Sequence, residues 1–305
     1  MLILAIDLGK FNSMCCFFDA STQQHRFQAA ATTKQYFESL LKSERIDLVV
    51  MEACSCSGWV SDLCRQRGLT TLVCSTHEEA WRWRSVKRKT DREDALKLAR
   101  LAAVGQLKAS HVPSLQTREY RGLIKHRKQL VGQQNRLQNG IRALFLGRGI
   151  VISRGKQTWH TGREQLEGYR TPLAECSLEE RWRGQLDQQL TQLDHVGELL
   201  SSVEKKLDQI AKEDKRVQRV MQIKGVGRVT AEAIVATIDD ARRFQNSRQV
   251  SAYVGLVPRQ YQSGETDHRG RITKRGSRLL RTLLVECAWC SLRYNPWSRA
   301  TYERI

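Results

Sequence analysis

Long apolar runs are absent from this 305-residue sequence, and its first residues do not show a basic segment followed by an apolar one. A helix that spans a bilayer needs about 20 apolar residues in a row, and an export signal has the basic-then-apolar order. We therefore expect no membrane span and a cytoplasmic location. Acidic residues are also scarce, with 32 Asp and Glu against 51 Lys and Arg.

The excess of basic residues gives a formal net charge of +19 and an isoelectric point near 9.9. Such a charge predicts a polyanionic partner, above all nucleic acid, with an affinity that falls as salt rises. A membrane surface is the weaker alternative. Hydrophobic residues make up 40% of the chain, which is typical of a folded protein, and the length allows one large or two ordinary domains.

The sequence also lacks a convincing zinc motif. It has nine Cys, an odd number, and reduced thiols are the expectation for a protein without an export signal. Cys54 and Cys56 form one close pair, and Cys287 and Cys290 form another. Neither pair has a second pair at finger spacing. Cys287 and Cys290 lie in an apolar helical stretch, so core packing is favoured for them and metal binding is the alternative.

Two carboxylates follow buried strands near the start of the chain. Asp7 ends the apolar run of residues 2–6, and Glu52 ends the run of residues 48–51. Runs of this length and composition predict strands, and a carboxylate at the end of each would lie at the rim of a sheet.

Asp91 and Asp94 open a segment whose apolar residues recur at helical spacing. A spacing of three places both acids on one helix face. Carboxylate oxygens are preferred ligands of Mg²⁺ and Mn²⁺, and two such ions stabilise the attacking and leaving oxygens of a phosphoryl transfer. The four acids together therefore predict a two-metal site. The alternative is that each acid is a solvated charge or, at Asp91, a helix-start residue.

The first 105 residues predict three strands, a helix, a strand, a helix, a strand and a helix. This is the order of a ribonuclease-H-like α/β fold, in which acids converge at neighbouring strand ends. We assign residues 1–110 to this catalytic domain. The basic, Trp-containing stretch of residues 81–90 leads into the acidic helix and is interpreted as a nucleic-acid contact or a solvated loop. Its cations are Arg82, Arg84, Lys87, Arg88 and Lys89.

Residues 111–215 are predicted to form a helical region for dimerisation. Residues 116–146 carry Leu at seven-residue spacing, and residues 177–215 form a second long polar helix, which together suggest an antiparallel coiled coil. The Gly- and Arg-rich segment of residues 147–172 is predicted to be a loop or flexible tip. The basic residues of the first helix either line nucleic acid or are solvated.

Residues 216–305 are predicted to form a mostly α-helical C-terminal domain. A helix-hairpin-helix pattern with Lys224, Gly225 and Gly227 lies near its start, and such a turn offers backbone amides to a phosphate. The alternative is a plain helix-turn. Ser263 follows in a polar loop near five cations that would stabilise phosphate charge. These are Arg259, Arg269, Arg271, Lys274 and Arg275. From residue type alone, Ser263 is a turn residue more readily than a nucleophile.

These motifs resemble a known family. Ile-Asp-Leu-Gly-Lys at Asp7, Met-Glu-Ala-Cys at Glu52 and Lys-Thr-Asp-Arg-Glu-Asp-Ala at Asp91 and Asp94 are similar to the DEDD motif of the bacterial insertion-sequence 110 transposases, relatives of the pilin-gene invertases. Ile-Lys-Gly-Val-Gly, Tyr-Val-Gly-Leu-Val-Pro and Gln-Ser-Gly-Glu resemble the second domain of that family. The resemblance covers both ends of the chain.

The resemblance implies a domain similar to the Holliday-junction resolvase RuvC. This domain would bind Mg²⁺, or Mn²⁺ in its place, through Asp7, Glu52, Asp91 and Asp94. It also implies that Ser263 attacks DNA and forms a covalent intermediate. The family acts as a homo-oligomer, a dimer or tetramer, on donor and target DNA, and a structured noncoding guide RNA, the bridge RNA, pairs with both. The expected function is therefore that of an insertion-sequence transposase or recombinase.

Three rival functions follow from the same residues. A structure-selective nuclease would use the four acids and a water nucleophile, and it would need neither Ser263 nor RNA. An ATP-binding protein of the actin and sugar-kinase type also begins with a strand, an Asp and a Gly turn, but we find no second Asp-Gly phosphate loop, and the positive charge fits it poorly. A purely structural nucleic-acid binder would need none of the acids.

Overall fold

The computed structural model of the chain describes residues 1–75, 90–153, 155–263 and 266–304. The chain divides into two compact units, residues 1–116 and 117–305. The first is a mixed α/β unit and the second is mostly helical. The predicted basic stretch with Arg82, Arg84, Lys87, Arg88 and Lys89 lies outside the described residues.

The first unit contains a five-stranded sheet with the order β3-β2-β1-β4-β5. Strands β1, β2 and β3 form an antiparallel meander, and β4 and β5 continue the sheet parallel to β1. This order confirms the predicted α/β arrangement of three strands followed by two crossover strands. The strands are β1 (Leu2–Asp7), β2 (Asn12–Asp19), β3 (His25–Ala31), β4 (Leu48–Glu52) and β5 (Thr71–Cys74).

Helices cover both faces of this sheet. Alternate residues of β1 point to opposite sides, so Leu4 and Ile6 pack towards helices α1 (Lys34–Leu40) and α2 (Ser57–Gln66). The other side packs against helix α3 (Asp91–Ala103). Because both faces are covered, β1 and β4 are nearly continuous apolar runs, as the sequence predicted.

The buried cysteines of the first unit serve packing. Cys15 and Cys16 lie in β2 and Cys64 lies in α2, all fully enclosed. Burial raises the pKa of these thiols, to about 12 for Cys15 and about 11 for Cys16 and Cys64. They are therefore neutral hydrophobic groups at physiological pH.

Two long helices dominate the second unit, α4 (Leu115–Leu146) and α6 (Arg181–Glu213). Their facing apolar residues form two clusters, one at each end of the pair. Of the heptad leucines, Leu130 is 2% exposed and the others are partly buried. The pair of helices agrees with the sequence, whereas coiled-coil geometry and dimerisation stay predictions.

The segment between these helices, predicted as a loop or flexible tip, carries short helical turns. One of them is α5 (Arg163–Glu167), and its Leu166 is fully buried beside Ile141 and Phe145 of α4. The rings of Phe145, Tyr169 and Trp182 pack in a T-shaped or tilted manner. A few aromatic side chains fold this segment back onto the helix pair, although its pattern in sequence is weak.

The opposite end of the pair packs on helices α7 (Lys215–Met221) and α8 (Arg228–Ile238). Arg121 of α4 donates hydrogen bonds to the carbonyl oxygens of Ala236 and Thr237, at 2.6 and 3.0 Å, where α8 ends. The carbonyl groups of the last helical turn have no hydrogen-bond donor within the helix, so the Arg121 guanidinium supplies donors for two of them. These contacts join the middle helices to the C-terminal part within the second unit, and the domain boundary at residue 215 stays a prediction.

The chain ends with helix α9 (Ser247–Val254), an antiparallel two-stranded ribbon and helices α10 (Arg278–Tyr294) and α11 (Pro296–Glu303). The ribbon consists of β6 (Pro258–Ser263) and β7 (Thr266–Ile272). Over the described residues, no helix combines the length and the apolar character that a membrane crossing requires.

Candidate active site and nucleic-acid contacts

Two of the predicted acids lie at the ends of neighbouring strands. Ile6 of β1 pairs with Met51 of β4 in parallel register, so the next residues, Asp7 and Glu52, end adjacent strands on the same side of the sheet rim. Neighbouring strands are about 4.8 Å apart. Ala5 and Val50, two residues earlier, pack on the α3 side, and strand alternation therefore places both carboxylates on that side.

Helix α3 supplies the other two acids. Thr90 caps its start, accepting a hydrogen bond from the Glu93 amide at 3.3 Å and donating to the Glu93 carboxylate at 3.1 Å. Asp94 is 7% exposed and lies one turn before Leu98, which packs on the sheet. Asp91, the first residue of the helix, is exposed. The structure thus carries Asp94 on the buried side of α3 and leaves Asp91 at the surface.

The chemistry of this donor set suits a hard divalent cation, because carboxylate oxygens are the ligands that Mg²⁺ and Mn²⁺ prefer. Asp7, Glu52 and Asp94 share the α3 side of the sheet. Within the described ranges, however, no three His, Cys, Asp or Glu residues form a group that could hold a metal ion. The four acids are therefore not arranged as a complete ligand set in this conformation.

The predicted helix-hairpin-helix pattern falls between α7 and α8. Gly225 has φ +96°, and a Cβ placed there would lie 3.0 Å from the Cα of Ser291 in α10. The thiol of Cys287, also in α10, donates to the Gly225 carbonyl at 3.3 Å. Gly225 thus permits a tight turn and the close approach of α10, and this contact explains Cys287 as a packing residue.

Gly227 and Lys224 are solvent-exposed residues of this turn. Gly227 is the N-cap of α8, and a Cβ placed there would meet no atom of the described chain within 4 Å. Both residues are exposed. The amides at the start of α8 are thus compatible with a phosphate contact, although the helix-hairpin-helix assignment stays a prediction.

Ser263 is the last residue of β6, and the whole described ribbon is exposed. Ser263 pairs with Thr266, and Tyr261 pairs with His268 two positions along. Residues two apart on a strand share a face, so Ser263, Thr266, Tyr261 and His268 lie on one side of the ribbon. Sequence reasoning missed this face because the period of two becomes visible only once the register is known.

The predicted cations of this region divide between the ribbon and its base. Arg269 pairs with Gln260 and therefore lies on the face opposite Ser263. Arg271 also lies in β7, whereas Lys274 and Arg275 follow it, and all four side chains are exposed. The second unit thus carries Ser263, Arg269 and Arg271 on the exposed ribbon and two further exposed cations just after it.

Some basic residues of the middle helices have intramolecular partners instead. Arg127 of α4 pairs with Glu204 of α6, and Arg228 of α8 pairs with Glu204 and with Glu232. Glu232 is 1% exposed, and burial raises the pKa of its carboxyl group. This network was invisible in sequence, because its members come from three helices that are far apart along the chain.

Comparison with known proteins matches both units. Residues 4–148 match a family model for the DEDD transposase domain of IS110 elements, described as "Transposase". Residues 217–303 match a model described as "Transposase IS116/IS110/IS902 family". The two matches leave only part of the middle helical region uncovered.

Individual relatives extend over most of the chain. The transposase for insertion sequence element IS1111A of Coxiella burnetii is 30% identical over 316 residues, which cover 99% of this chain and 83% of that protein. A probable family 20 transposase of Pseudomonas aeruginosa is 30% identical over 79% of this chain and 70% of that protein. The pilin gene-inverting protein of Moraxella bovis is 24% identical over 60% of this chain and 47% of that protein.

The N-terminal match is to a DEDD domain, which is RuvC-like and implies dependence on a divalent metal. This agrees with the mixed sheet and with the acids at its edge. On these matches, the chain belongs to the IS116/IS110/IS902 family of transposases and is a DNA transposase or recombinase.

Proposed function

We propose that this transposase cuts and exchanges DNA strands with Asp7, Glu52, Asp91 and Asp94 as ligands of Mg²⁺, or of Mn²⁺ in its place, and with Ser263 as the nucleophile. The observation that carries the proposal is the rim of the sheet, where Asp7 and Glu52 end adjacent parallel strands on the face that packs against α3, the helix of Asp94. Three carboxylates on one face of the sheet all offer oxygen ligands, which suit Mg²⁺ or Mn²⁺.

The acids and Ser263 would divide the reaction between them. A divalent ion bound by the acids would neutralise charge on the phosphate that is cut. Ser263 Oγ would form a bond to phosphorus, while the bond from phosphorus to the leaving sugar oxygen breaks and that oxygen leaves as a hydroxyl. The covalent intermediate keeps the energy of the broken bond, so the strand can be joined to a new partner without another energy source.

The acids lie in one compact unit and Ser263 lies in the other. This division supports a homo-oligomer, a dimer or tetramer, in which one protomer supplies the acids and another supplies the serine. The family resemblance further supports a structured noncoding guide RNA that pairs with donor and target DNA in the cytoplasm. The net charge of +19 is compatible with two nucleic-acid partners.

The test is strand cleavage by the full chain, expressed with its native flanking DNA so that any RNA is made. Asp7→Asn and Glu52→Gln should each lower cleavage by at least 100-fold at saturating Mg²⁺, because each removes a charged ligand. Glu38→Gln, a half-buried acid of α1, is the matched control and should retain full activity. Full cleavage by either edge variant, or by the wild type in excess chelator, would contradict the metal assignment.

A separate measurement addresses the RNA. A defined noncoding transcript from the flanking DNA should co-purify with the protein, and ribonuclease treatment should abolish recombination while leaving the protein folded. Recombination that survives complete RNA removal would show that the chain needs no guide. Cleavage by water, without Ser263, would instead identify a structure-selective nuclease that uses the same acids.

A further inference from the structure

Every described residue of the β6–β7 ribbon is exposed, so the ribbon buries little surface along its length. A two-stranded ribbon of this kind is marginally stable alone. Its orientation must therefore be set where the ribbon joins helices α9 and α10. This junction lies among residues 253–257 on one side and 273–281 on the other.

The backbone at the junction is packed tightly. The Thr273 amide donates to the Val257 carbonyl at 2.9 Å, and the Lys274 amide donates to the Gly255 carbonyl at 3.1 Å. Gly255 and Gly276 both have positive φ, and a Cβ at either would lie 2.2 Å from a carbonyl oxygen of the opposite segment. The two segments therefore cross in direct backbone contact.

Arg281 joins this crossing to the helical body. Its Nη1 atom donates to the carbonyl oxygens of Val254, Arg275 and Gly276, at 2.9, 2.5 and 3.2 Å. The side chain is half-buried and comes from the first turn of α10, whose neighbour Leu280 is 1% exposed and packs against Val254. One guanidinium thus connects the end of α9, the exit of the ribbon and the start of α10.

We propose that Arg281 is a positioning residue for Ser263, which sets the direction of the ribbon by holding these three carbonyl groups. The proposal rests on the function proposed above for Ser263. The five residue steps from Pro258 to Ser263 span roughly 17 Å. A change of about 10° at the base would therefore displace Ser263 by about 3 Å, and a displacement of about 1 Å can cost 100-fold in rate.

The experiment compares Arg281→Met, Arg281→Lys and the control Arg278→Met in the full chain. Arg278 is an exposed cation of the same helix turn, so its replacement changes net charge equally. Two quantities are measured, namely amide hydrogen exchange in residues 258–273 and the ratio of covalent-adduct formation rate to DNA affinity. Exchange reports on the order of the ribbon and does not depend on the chemistry of Ser263.

Arg281→Met should speed ribbon exchange at least tenfold and slow adduct formation at least tenfold, with DNA affinity within twofold of wild type. Arg281→Lys should give intermediate values, and Arg278→Met should match wild type. Unchanged ribbon exchange in Arg281→Met would overturn the proposal. Faster exchange with an unchanged rate of adduct formation would also overturn it, and so would a loss of DNA affinity as large as the loss of adduct rate. If Arg281→Met does not fold, Arg281→Lys decides by the same criteria.

A Ser263→Ala variant separates the two proposals. If it retains recombination, the function proposed for Ser263 fails whatever Arg281 does. If it abolishes the adduct while Arg281→Met leaves ribbon exchange unchanged, only the positioning role fails.

Discussion

Replacement of Arg228 by Met should strongly destabilise the second unit. Arg228 Nη1 lies 3.0 Å from Oε1 of Glu232, which is 1% exposed, and Oε2 has no hydrogen-bond partner among the described atoms. Removal of one partner of a buried ion pair typically costs about 3–5 kcal/mol, because the remaining charge stays buried without compensation. For a unit of this size, that corresponds to a decrease of about 6–20 °C in melting temperature.

The double variant Arg228→Met/Glu232→Gln is the matched control. It removes both charges, and Glu204 keeps its ion pair with Arg127. We therefore expect it to recover most of the lost free energy of unfolding. The assay is urea unfolding of the full chain, followed by a probe in residues 117–305. A cost below about 1 kcal/mol for the single variant, or a double variant no more stable than the single one, would refute the reasoning.

The same pair predicts a dependence on pH. Burial raises the pKa of Glu232 in the folded state, and the charge of Arg228 opposes this rise. An acid with a raised folded pKa contributes most stability below its unfolded pKa, and that contribution is lost as pH rises through the folded pKa. Without Arg228 the folded pKa rises further. The penalty of Arg228→Met should therefore be larger at pH 8 than near pH 5, and it should be independent of pH in the double variant.

Three further predictions concern other parts of the fold. Gly225→Ala should lower the free energy of unfolding by about 1–3 kcal/mol, because Gly225 has a positive φ and lies close to Ser291. Gly227→Ala should change the free energy of unfolding by less than about 0.5 kcal/mol but weaken DNA binding. Unfolding and filter-binding assays measure the two effects. Leu166→Ala should cost about 2–5 kcal/mol and make residues 147–172 sensitive to protease; equal protease resistance would contradict a packed tip. In the folded chain at pH 8, a maleimide should label exposed Cys54 and Cys290 but not Cys15, Cys16 or Cys64, whose pKa values are raised by burial.

The sheet could be predicted from sequence because its physics is local. Short apolar runs rich in β-branched residues are typical of central strands buried on both faces, and β1 and β4 are such runs. The start of α3 was equally clear, since Thr90 and Glu93 form a reciprocal cap. From these elements follow the strand-end positions of Asp7 and Glu52 and the helical position of Asp94.

Features that depend on distant contacts could not be predicted. Residues 147–172 pack on the helix pair through Leu166, which lies in the same buried cluster as Phe145. A single buried leucine produces no periodic pattern in the sequence. The role proposed for Arg281 depends on hydrogen bonds to three backbone carbonyl groups, and such groups cannot be recognised from residue types. The sequence also did not predict that Asp91 is exposed and Asp94 is buried, because two residues on one helix face can differ in burial.

The most direct test of the central claim is a search for a covalent protein–DNA adduct on a denaturing gel. The full chain is expressed with its native flanking DNA, and wild type is compared with Ser263→Ala and Thr266→Ala. Thr266 is the matched control, because it carries the hydroxyl directly across the ribbon from Ser263. The account predicts an adduct for wild type and for Thr266→Ala and none for Ser263→Ala. Recombined DNA of undiminished yield from Ser263→Ala would contradict it.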